Sequence, residues 1–403
     1  MSEFLWQTFH RLIDELPQIK PRFLYQQMQQ LPRLTGIVGP RGVGKTTLLL
    51  QYLKNHLYES QEAFYFSADN TYFNETTLLE FVDDLYSEKN IRIFFIDEIH
   101  KYPNWNQELK NIYDSFPKLQ VVFSGSSSID LITGSYDLSR RAKLIHMPGL
   151  SFREFINIKT NNDFPAISLQ NLLKNHQKFS ADISKITTIK KYFEEYMLFG
   201  YYPMVFQDRD NLYEALGNII DKMIYEDIAS FYQLKTTSLK HFKRILNYFS
   251  SIPPGEIKTN NLARRLNIDN KTVDHYLTIL ENASMIKTLH PVAKGSQVLT
   301  KPSKCYLDNT TMHAAINTFL SEPVNLGAQR ELVFLQFLKG AGIQVFYPSA
   351  GDFQIKDIIF EIGGKNKKHD QLKSHTGKKY IVKDNILMSW GNEIPLYLFG
   401  FLY

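Results

Sequence analysis

The fold of this chain is decided by residues 34–46, which read Leu34-Thr35-Gly36-Ile37-Val38-Gly39-Pro40-Arg41-Gly42-Val43-Gly44-Lys45-Thr46. Residues 34–38 have the character of a short strand, and residues 39–46 match the pattern G-x-x-x-x-G-K-[ST] at each fixed position. The following residues carry the apolar periodicity of a helix as far as Leu57. A strand, a glycine-rich turn and a helix in this order predict a phosphate-binding loop.

Residues 39–46, the P-loop, have residue types suited to holding ATP. Glycines let the backbone curl with its N–H groups toward phosphate oxygens, and the positive end of the next helix faces the same anion. Lys45 is predicted to reach the β- and γ-phosphates, and the Thr46 hydroxyl to bind Mg²⁺. Position alone suggests residues 22–25 and Arg33 for the adenine. The predicted nucleotide-binding residues are Gly39, Pro40, Arg41, Gly42, Val43, Gly44, Lys45, Thr46 and Thr47.

A second motif lies at the end of an apolar run. Residues 91–96 predict a strand that is buried on both faces of a parallel sheet, and Asp97 and Glu98 follow it. This is the Walker B pattern, in which Asp97 supports the Mg²⁺ shell and Glu98 polarises the attacking water as general base. The alternative is that the two acids only cap the next helix, and the complete P-loop upstream disfavours that interpretation.

A third apolar run, residues 119–123, is followed by Ser124 and Ser126. The carboxyl end of such a strand in a doubly wound sheet lies beside the nucleotide. Either hydroxyl is therefore a candidate for contacting the attacking water or the γ-phosphate. An equally supported alternative is that Ser127 or Ser128 caps a helix.

Composition is typical of a globular protein with several domains. The chain has 403 residues, more than one hydrophobic core usually holds, and it is 43% hydrophobic and 22% charged. Its single cysteine, Cys305, excludes an internal disulfide framework and favours a reducing compartment. The chain shows no signal peptide and no apolar run of bilayer length, so we expect a cytoplasmic protein without membrane contact. The net charge of +5 permits nucleic-acid contact but does not indicate it.

The order of predicted elements divides the chain into four regions. In residues 1–150 strands alternate with helices, which predicts an α/β fold with a doubly wound parallel sheet. Residues 151–245 show mainly helical periodicity and are expected to form a lid or connector, and residues 246–300 form a compact run of short helices. In residues 301–403 strand-like runs return, at 304–307, 344–347, 357–361, 380–382 and 395–401.

Together these motifs resemble the AAA+ superfamily of P-loop ATPases, in which a polar sensor residue lies on the strand after Walker B. More narrowly, the chain resembles a family of prokaryotic predicted ATPases that couple an AAA domain to a C-terminal domain of unknown function with a restriction-endonuclease-like core. The segments that carry this resemblance are Asp97-Glu98-Ile99-His100-Lys101-Tyr102-Pro103-Asn104-Trp105, Leu138-Ser139-Arg140-Arg141-Ala142, Pro148-Gly149-Leu150-Ser151-Phe152-Arg153-Glu154-Phe155, Phe199-Gly200-Tyr201-Tyr202-Pro203 and Glu361-Ile362-Gly363-Gly364-Lys365.

The resemblance implies an ATP-binding and ATP-hydrolysing domain in residues 1–150, with ATP and Mg²⁺ as its ligands. It makes Arg141 the candidate for a finger that reaches the γ-phosphate across a subunit boundary, which would require a homo-oligomer. The family pattern has Gly-Arg where this chain has Arg140 and Arg141, so the register is open. An ion pair at the surface or at a helix end is the alternative role of Arg141.

Residues 261–280 carry the pattern of a helix-turn-helix and resemble a winged helix. Leu262 and Leu266 share an apolar face, Asp269 is a predicted N-cap, and a second periodic helix follows. Such a module binds DNA in some proteins and serves packing or protein contact in others. If this one binds DNA, the candidate contacts are Asn270, Lys271, Thr272 and His275, with Arg264 and Arg265 for phosphate.

Residues 301–403 resemble the restriction-endonuclease-like fold, whose active site needs a helix acid, an Asp at a strand end and Glu-x-Lys on the next strand. Glu331, Asp352 and Glu361 fall at suitable places, but the position two after Glu361 is Gly363. Lys365 could substitute only through a backbone bulge, so a retained fold without cleavage is the favoured interpretation. The lysine-rich run within residues 365–383 is either a solvated loop or a phosphate-binding surface.

The main hypothesis is a nucleotide-driven switch. ATP binding and hydrolysis would change how the helical and C-terminal parts act on a DNA or protein partner. One alternative is a nuclease in residues 301–403 that ATP hydrolysis gates. The other is a signalling scaffold that binds ATP with little turnover.

Overall fold

In a computed structural model of the chain, the described residues are 2–125, 138, 140–186, 188–257, 259–292, 303–365 and 377–403. They form two compact units, Met1–Pro148 and Gly149–Tyr403. The P-loop lies in the first unit. The divisions predicted within the second unit, at residues 245 and 300, stay predictions.

The first unit is built on a five-stranded sheet in which every neighbouring pair of strands is parallel. The strand order is β2-β3-β4-β1-β5. Because parallel strands share a direction, the loops after β1, β3 and β4 meet at one edge of the sheet. The strands are β1 (Leu34–Val38), β2 (Ala63–Ser67), β3 (Ile93–Asp97), β4 (Gln120–Gly125) and β5 (Lys143–His146).

Helices connect these strands and flank the sheet, which confirms the predicted doubly wound parallel α/β fold. Strand β1 falls at the residues predicted from the sequence, and the helix after the P-loop, β3 and β4 differ from their predicted ranges by a few residues at their ends. The sequence does not predict β5. The helices are α1 (Ser2–Asp14), α2 (Lys45–His56), α3 (Leu78–Glu88) and α4 (Trp105–Ser115), with 3-10 turns at Tyr25–Gln30, Thr71–Asn74 and Ile99–Lys101.

The second unit begins with helices, in agreement with the periodicity of residues 151–245. They are α5 (Phe152–Thr160), α6 (Leu169–Ile183), α7 (Ile189–Phe199) and α8 (Leu212–Lys222), with a 3-10 turn at Pro203–Phe206. A π-helical turn, Met223–Ile228, and a last helical turn, Ala229–Phe231, continue α8. α5 begins at a buried capping box, in which Ser151 and Glu154 bond each other's backbone N–H groups.

A group of three helices and a small sheet follows. Its elements are α9 (Thr236–Ser251), β6 (Gly255–Glu256), α10 (Thr259–Leu266), α11 (Asn270–Asn282), β7 (Ile286–Leu289) and β8 (Lys304–Leu307). β8 lies between β6 and β7 and is antiparallel to both. Leu262 and Leu266 of α10 are buried, as their spacing predicts, and the Asp269 side chain caps α11.

The remainder of the second unit contains a separate sheet of four strands in the order β12-β11-β10-β9. β9 is antiparallel to β10, and the other neighbouring pairs are parallel. The elements are α12 (Thr310–Phe319), α13 (Leu326–Gly340), β9 (Phe353–Ile355), β10 (Ile358–Gly363), β11 (Lys378–Lys383) and β12 (Glu393–Pro395).

Two strand predictions in this region are wrong. In residues 395–401 only Pro395 belongs to a strand, and Leu396–Phe401 is a 3-10 helix whose residues are all buried. A short, fully buried apolar run does not distinguish a strand from a helix by its periodicity. Residues 344–347 form isolated bridges through Phe346 and Tyr347 instead of a ladder.

Cys305 lies on β8 and is 4% exposed. Burial raises the pKa of its thiol, and the charge of Glu281 adds to the rise. In the parts of the chain that the structure describes, no helix combines the length and the apolar character needed to cross a bilayer.

Candidate functional site

The P-loop leaves β1 and enters α2 in a conformation that depends on glycine. Gly39 packs against the backbone of Met147 so closely that an added Cβ would lie 2.1 Å from the Met147 carbonyl oxygen. Gly44 has a φ of 92°, in the left-handed region where a side chain is strained. The motif therefore needs its two fixed glycines for different reasons. Gly39 is needed for close packing and Gly44 for a left-handed backbone conformation.

Lys45 is the first residue of α2 and is only 5% exposed. Its ammonium donates hydrogen bonds to the carbonyl oxygens of Gly39 at 2.9 Å and of Pro40 at 3.0 Å. The N-cap of α2 is Gly44, so no side chain caps the N–H groups of the first turn. A buried cation and the positive end of a helix therefore converge on this loop, as binding of a phosphate requires.

Asp97 ends β3 and is 2% exposed. One carboxylate oxygen accepts hydrogen bonds from the hydroxyls of Thr46 at 2.5 Å and Tyr65 at 2.9 Å. The other accepts from the Ser124 hydroxyl and, at 3.1 Å, from the backbone N–H of Glu98. The strand order explains this convergence, because β2 and β4 flank β3 and α2 begins just beyond β1. The carboxylate thus links the P-loop helix to both neighbouring strands.

Glu98 follows Asp97 with a φ of 50°, in the left-handed region. Its carboxylate lies 3.4 Å from Nε2 of His100, whose side chain is 2% exposed. Burial raises the pKa of Glu98 above its ordinary value. The positive charges of Lys45 and Arg41 oppose this rise in pKa, and the charge of Asp97 adds to it.

Ser124 lies near the carboxyl end of β4 and is fully buried. Its hydroxyl donates to Asp97 and accepts from the backbone N–H of Glu98 at 3.4 Å. Ser124 therefore braces the two acids, and its predicted contact with water or phosphate stays a prediction. Ser126, together with the alternative caps Ser127 and Ser128, lies outside the described residues.

Arg141 lies two residues before β5, whose first residue, Lys143, pairs with Thr35 near the start of β1. It is therefore at the amino edge of the sheet, and a strand length of about 15 Å separates that edge from the P-loop. Its guanidinium donates two hydrogen bonds, each of 3.0 Å, to the Asp114 carboxylate on α4. Its contact within the chain is thus an ion pair. A finger role across a subunit boundary stays a prediction, which full turnover by Arg141→Ala would remove.

The sequence assigns no role to two side chains around the P-loop and the Walker B acids, Tyr65 and His100, and it suggests Arg22 only for the adenine, by position. Tyr65 reaches Asp97 from the neighbouring strand β2, and a polar side chain near the end of that strand was the available signal. Arg22 is 6% exposed, and its guanidinium donates to the carbonyl oxygens of Val43 at 2.5 Å and Pro148 at 2.8 Å. No sequence pattern predicts the hydrogen bond between Arg22 and the P-loop.

Arg33, which position alone suggested for the adenine, lies at the opposite edge of the sheet. It precedes β1, and its guanidinium stacks over the Tyr113 ring at 3.6 Å and donates to the Tyr113 carbonyl. The suggestion of residues 22–25 for the adenine stays a prediction.

Two of the three candidate acids of residues 301–403 accept hydrogen bonds from neighbouring groups. The Asp352 carboxylate accepts from the backbone N–H of Ile362 at 2.7 Å, and Glu331 accepts from the Tyr306 hydroxyl at 3.0 Å. Glu361 lies on β10 and is fully buried. β10 pairs with β11 in continuous register as far as Gly363, so no bulge within this ladder carries the chain from Gly363 toward Lys365.

Comparison with protein families gives two matches. A family model described as an AAA domain matches residues 32–156, which span the P-loop, the Walker B acids and β1 to β5. The family match and the P-loop together support a nucleotide-binding ATPase. A second family model, described as a domain of unknown function, matches residues 190–322.

Comparison with solved structures gives distant matches, and comparison with curated proteins gives none. One match is AMPPCP-bound DnaA from Aquifex aeolicus, at 16% identity and a TM-score of 0.27, covering 70% of this chain and 87% of the other. Another is a structure titled as the replication initiator DnaA bound to AMPPCP and single-stranded DNA. It has 18% identity and a TM-score of 0.27, and covers 70% of this chain and 88% of the other.

The P-loop and the residues at the end of β3 offer oxygen ligands that suit Mg²⁺. Among the residues that the structure describes, no group of three or more His, Cys, Asp and Glu could hold a metal ion. Mg²⁺ in nucleotide sites is usually held by one or two protein oxygens together with water and substrate phosphates. The Thr46 hydroxyl and the Asp97 carboxylate, 2.5 Å apart, are such oxygens and lie next to Lys45. The residues present therefore fit a nucleotide with Mg²⁺.

Proposed function

We propose that this chain binds and hydrolyses ATP with Mg²⁺ in its AAA domain and uses the cycle to switch a partner. One observation carries the proposal. The hydrogen bond of 2.5 Å between Thr46 and Asp97 joins the start of α2 to the end of β3. It brings the two halves of the nucleotide motif together at the edge of the sheet where the buried Lys45 ammonium lies.

Binding of the triphosphate would use Lys45 and the backbone of the P-loop. The ammonium exchanges its bonds to the Gly39 and Pro40 carbonyls for bonds to β- and γ-phosphate oxygens. The exchange costs little desolvation, because the cation is already buried in the site. The N–H groups of the loop and of the first turn of α2 take further phosphate oxygens.

Thr46 and Asp97 would hold the metal, which supplies charge neutralisation on the transferred phosphoryl group. Tyr65 and Ser124 fix the Asp97 carboxylate from both sides. Burial raises the pKa of Tyr65, and the Asp97 charge adds to the rise, so its hydroxyl keeps its proton and remains a donor. These two hydrogen bonds hold the carboxylate in one orientation, which favours its use as a fixed metal ligand.

Glu98 would take the proton of the attacking water. It stands directly after the metal-holding acid, and its pKa is raised by burial, which makes it a stronger base than an exposed glutamate. Nε2 of His100, which belongs to the 3-10 turn Ile99–Lys101, lies 3.4 Å from this carboxylate.

The test of this proposal is the Mg²⁺ dependence of phosphate release from ATP by the full chain. Replacing Thr46 with alanine should raise the Mg²⁺ concentration needed for half-maximal rate by about tenfold to a hundredfold, the scale seen when metal sites lose a supporting group. Thr46→Ser keeps the Oγ atom and is the matched control, which should behave like the parent. A parent rate that survives complete chelation of Mg²⁺, or an unchanged Mg²⁺ dependence in Thr46→Ala, would contradict the assignment.

For the partner, the order of elements from α9 to β8 favours DNA. A helix, a short strand, two helices and two strands follow one another, and the last strand lies in the centre of the sheet, which supports the proposal of a winged helix. Asn270, Lys271 and His275 are exposed along α11, and Arg264 and Arg265 are exposed on α10. An open groove between these helices is lined by Asn260, Ala263, Arg264, Asn267, Ile268, Asp269 and Asn270.

Binding of a labelled DNA duplex, followed by fluorescence anisotropy at several salt concentrations, tests this partner. The double variant Arg264→Ala/Arg265→Ala should bind more weakly and show a salt slope smaller by about two, because each lost phosphate contact removes about one counterion. Lys174→Ala/Lys178→Ala removes equal charge from exposed positions on α6 and should leave the slope unchanged. If both double variants lost DNA affinity equally, or if the parent did not bind DNA at low salt, DNA would be excluded as the specific partner and a protein would remain.

A further inference from the structure

A buried arginine joins the P-loop to the last residues of the first unit. Arg22 lies ahead of the 3-10 turn Tyr25–Gln30 and is 6% exposed. Its guanidinium donates one hydrogen bond of 2.5 Å to the carbonyl of Val43 and another of 2.8 Å to the carbonyl of Pro148. Val43 lies within the phosphate-binding loop, and Pro148 is the residue before the chain passes into the second unit.

The same terminal segment contacts the P-loop at a second place. The backbone N–H of Met147 donates to the carbonyl of Val38 at 2.7 Å. The next residue, Gly39, lies so close to Met147 that an added Cβ would be 2.1 Å from its carbonyl oxygen. Residues 147–148 therefore hold the start of the loop directly and the middle of the loop through Arg22.

The bond from Arg22 to Val43 also fixes the direction of an amide that can bind phosphate. A trans peptide is planar, and its N–H and C=O groups point in opposite directions. Because Arg22 holds the Val43 carbonyl, the N–H of Gly44 in the same peptide points away from Arg22. Gly44 is the N-cap of α2, so this N–H belongs to the set of donors at the start of the helix.

We propose that Arg22 is a positioning residue that orients the Gly44 amide for phosphate and transmits the nucleotide state of the P-loop to residues 147–148. This inference rests on the proposed function, since it concerns binding of ATP to the same loop. An arginine suits the task because two separate nitrogens of its rigid planar guanidinium reach the two carbonyls, whereas a lysine would have to reach both from one nitrogen atom. Arg22 acts through the loop and not through contact with the reacting atoms.

The experiment compares the parent chain with Arg22→Lys, using Arg33→Lys as the matched control. Arg33 also donates from its guanidinium to a backbone carbonyl, but at the opposite edge of the same sheet. Affinity is measured with a fluorescent ATP analogue, and amide hydrogen exchange is followed in peptides that cover residues 36–46 and 143–152. Exchange reports local opening of these segments with and without ATP.

In the parent chain, ATP should slow exchange in both peptides together. Arg22→Lys should bind the analogue about tenfold more weakly, the scale of one well-placed hydrogen bond to a charged group. It should also show a clearly smaller ATP effect in residues 143–152, because only the direct contacts of Met147 with Val38 and Gly39 remain. Arg33→Lys should match the parent in affinity and exchange, even if its melting temperature falls by a similar amount.

Two results would overturn the inference while leaving the proposed function intact. One is a parent chain that binds ATP and protects residues 36–46 but not residues 143–152, a measurement that needs no variant. The other is an Arg22→Lys chain with the affinity and exchange of the parent, which would make Arg22 a packing group only. A parent chain that does not bind the analogue would instead remove the proposed function itself.

Discussion

Replacing Glu98 with glutamine is expected to slow phosphate release by about two to four orders of magnitude, the usual contribution of a positioned general base. Affinity for ATP should change little. Glutamine keeps the shape of the side chain but cannot accept the proton of the attacking water. The bonds of Lys45 to the loop and of Thr46 to Asp97 do not involve the Glu98 side chain, so they remain. Steady-state phosphate release and binding of a fluorescent ATP analogue measure the two effects separately.

Glu98 also determines whether the rate of ATP hydrolysis rises or falls with pH. A general base acts only in its ionised form, and burial raises the pKa of Glu98 above that of an exposed glutamate. The rate of the parent should therefore fall as the pH is lowered through this raised pKa. This fall in rate should occur at a higher pH than it would for an exposed glutamate with an ordinary pKa. The Glu98→Gln variant should not show it.

The control for Glu98→Gln is Glu88→Gln, which changes an exposed residue at the end of α3 and should match the parent. A Glu98→Gln chain that turns over as fast as an active parent would assign the base elsewhere. A parent whose rate is already as low as that of Glu98→Gln would instead favour a scaffold that binds ATP with little turnover.

The second large effect is expected for Lys45→Ala, which should weaken ATP binding by about tenfold to a hundredfold or more. A hydrogen bond to a charged group contributes roughly 1.5–3 kcal/mol, and the γ-phosphate would lose both this bond and a neutralising charge. The substitution also removes the donor that bonds the carbonyls of Gly39 and Pro40. Turnover should fall with binding, because the lost cation also serves the transferred phosphoryl group.

Lys54→Ala is the matched control for Lys45→Ala, because it removes a lysine from the same helix. Lys54 is exposed, and its ammonium donates to the Ile13 carbonyl at 2.7 Å, away from the loop. Calorimetric titration with ATP and Mg²⁺ should give the control the affinity of the parent. Equal affinity in Lys45→Ala would mean that the loop does not hold the triphosphate.

The sequence predicts best those parts of the site that lie within one continuous segment. The P-loop and Glu98 each directly follow a strand and Asp97 ends one, so the local pattern predicts where they lie at the edge of the sheet. The contacts of Asp97 with Tyr65 and Ser124 depend instead on which strands are neighbours, and the contact of Arg22 with Pro148 joins residues 126 positions apart. Nothing local in the sequence encodes such pairs.

The wrong strand prediction for residues 395–401 is explained by a buried apolar run that lacks periodicity. Residues 395–401 are apolar throughout and were predicted as a strand, but most of them form a 3-10 helix. An added Cβ at Gly400 would lie 2.4 Å from Cβ of Phe152, so packing at that position leaves no room for a side chain. Packing of this kind decides the backbone conformation and is invisible in a run of apolar letters.

The burial of Cys305 on β8 gives the chain a practical property. The thiolate is the form that reacts with maleimides and oxidants, and a raised pKa and a covered sulfur both suppress it. A cysteine placed at an exposed site such as Glu88 would therefore take a dye selectively, with the native residue left in place. Probes attached in this way could follow conformational changes during the ATP cycle in the otherwise unaltered polypeptide.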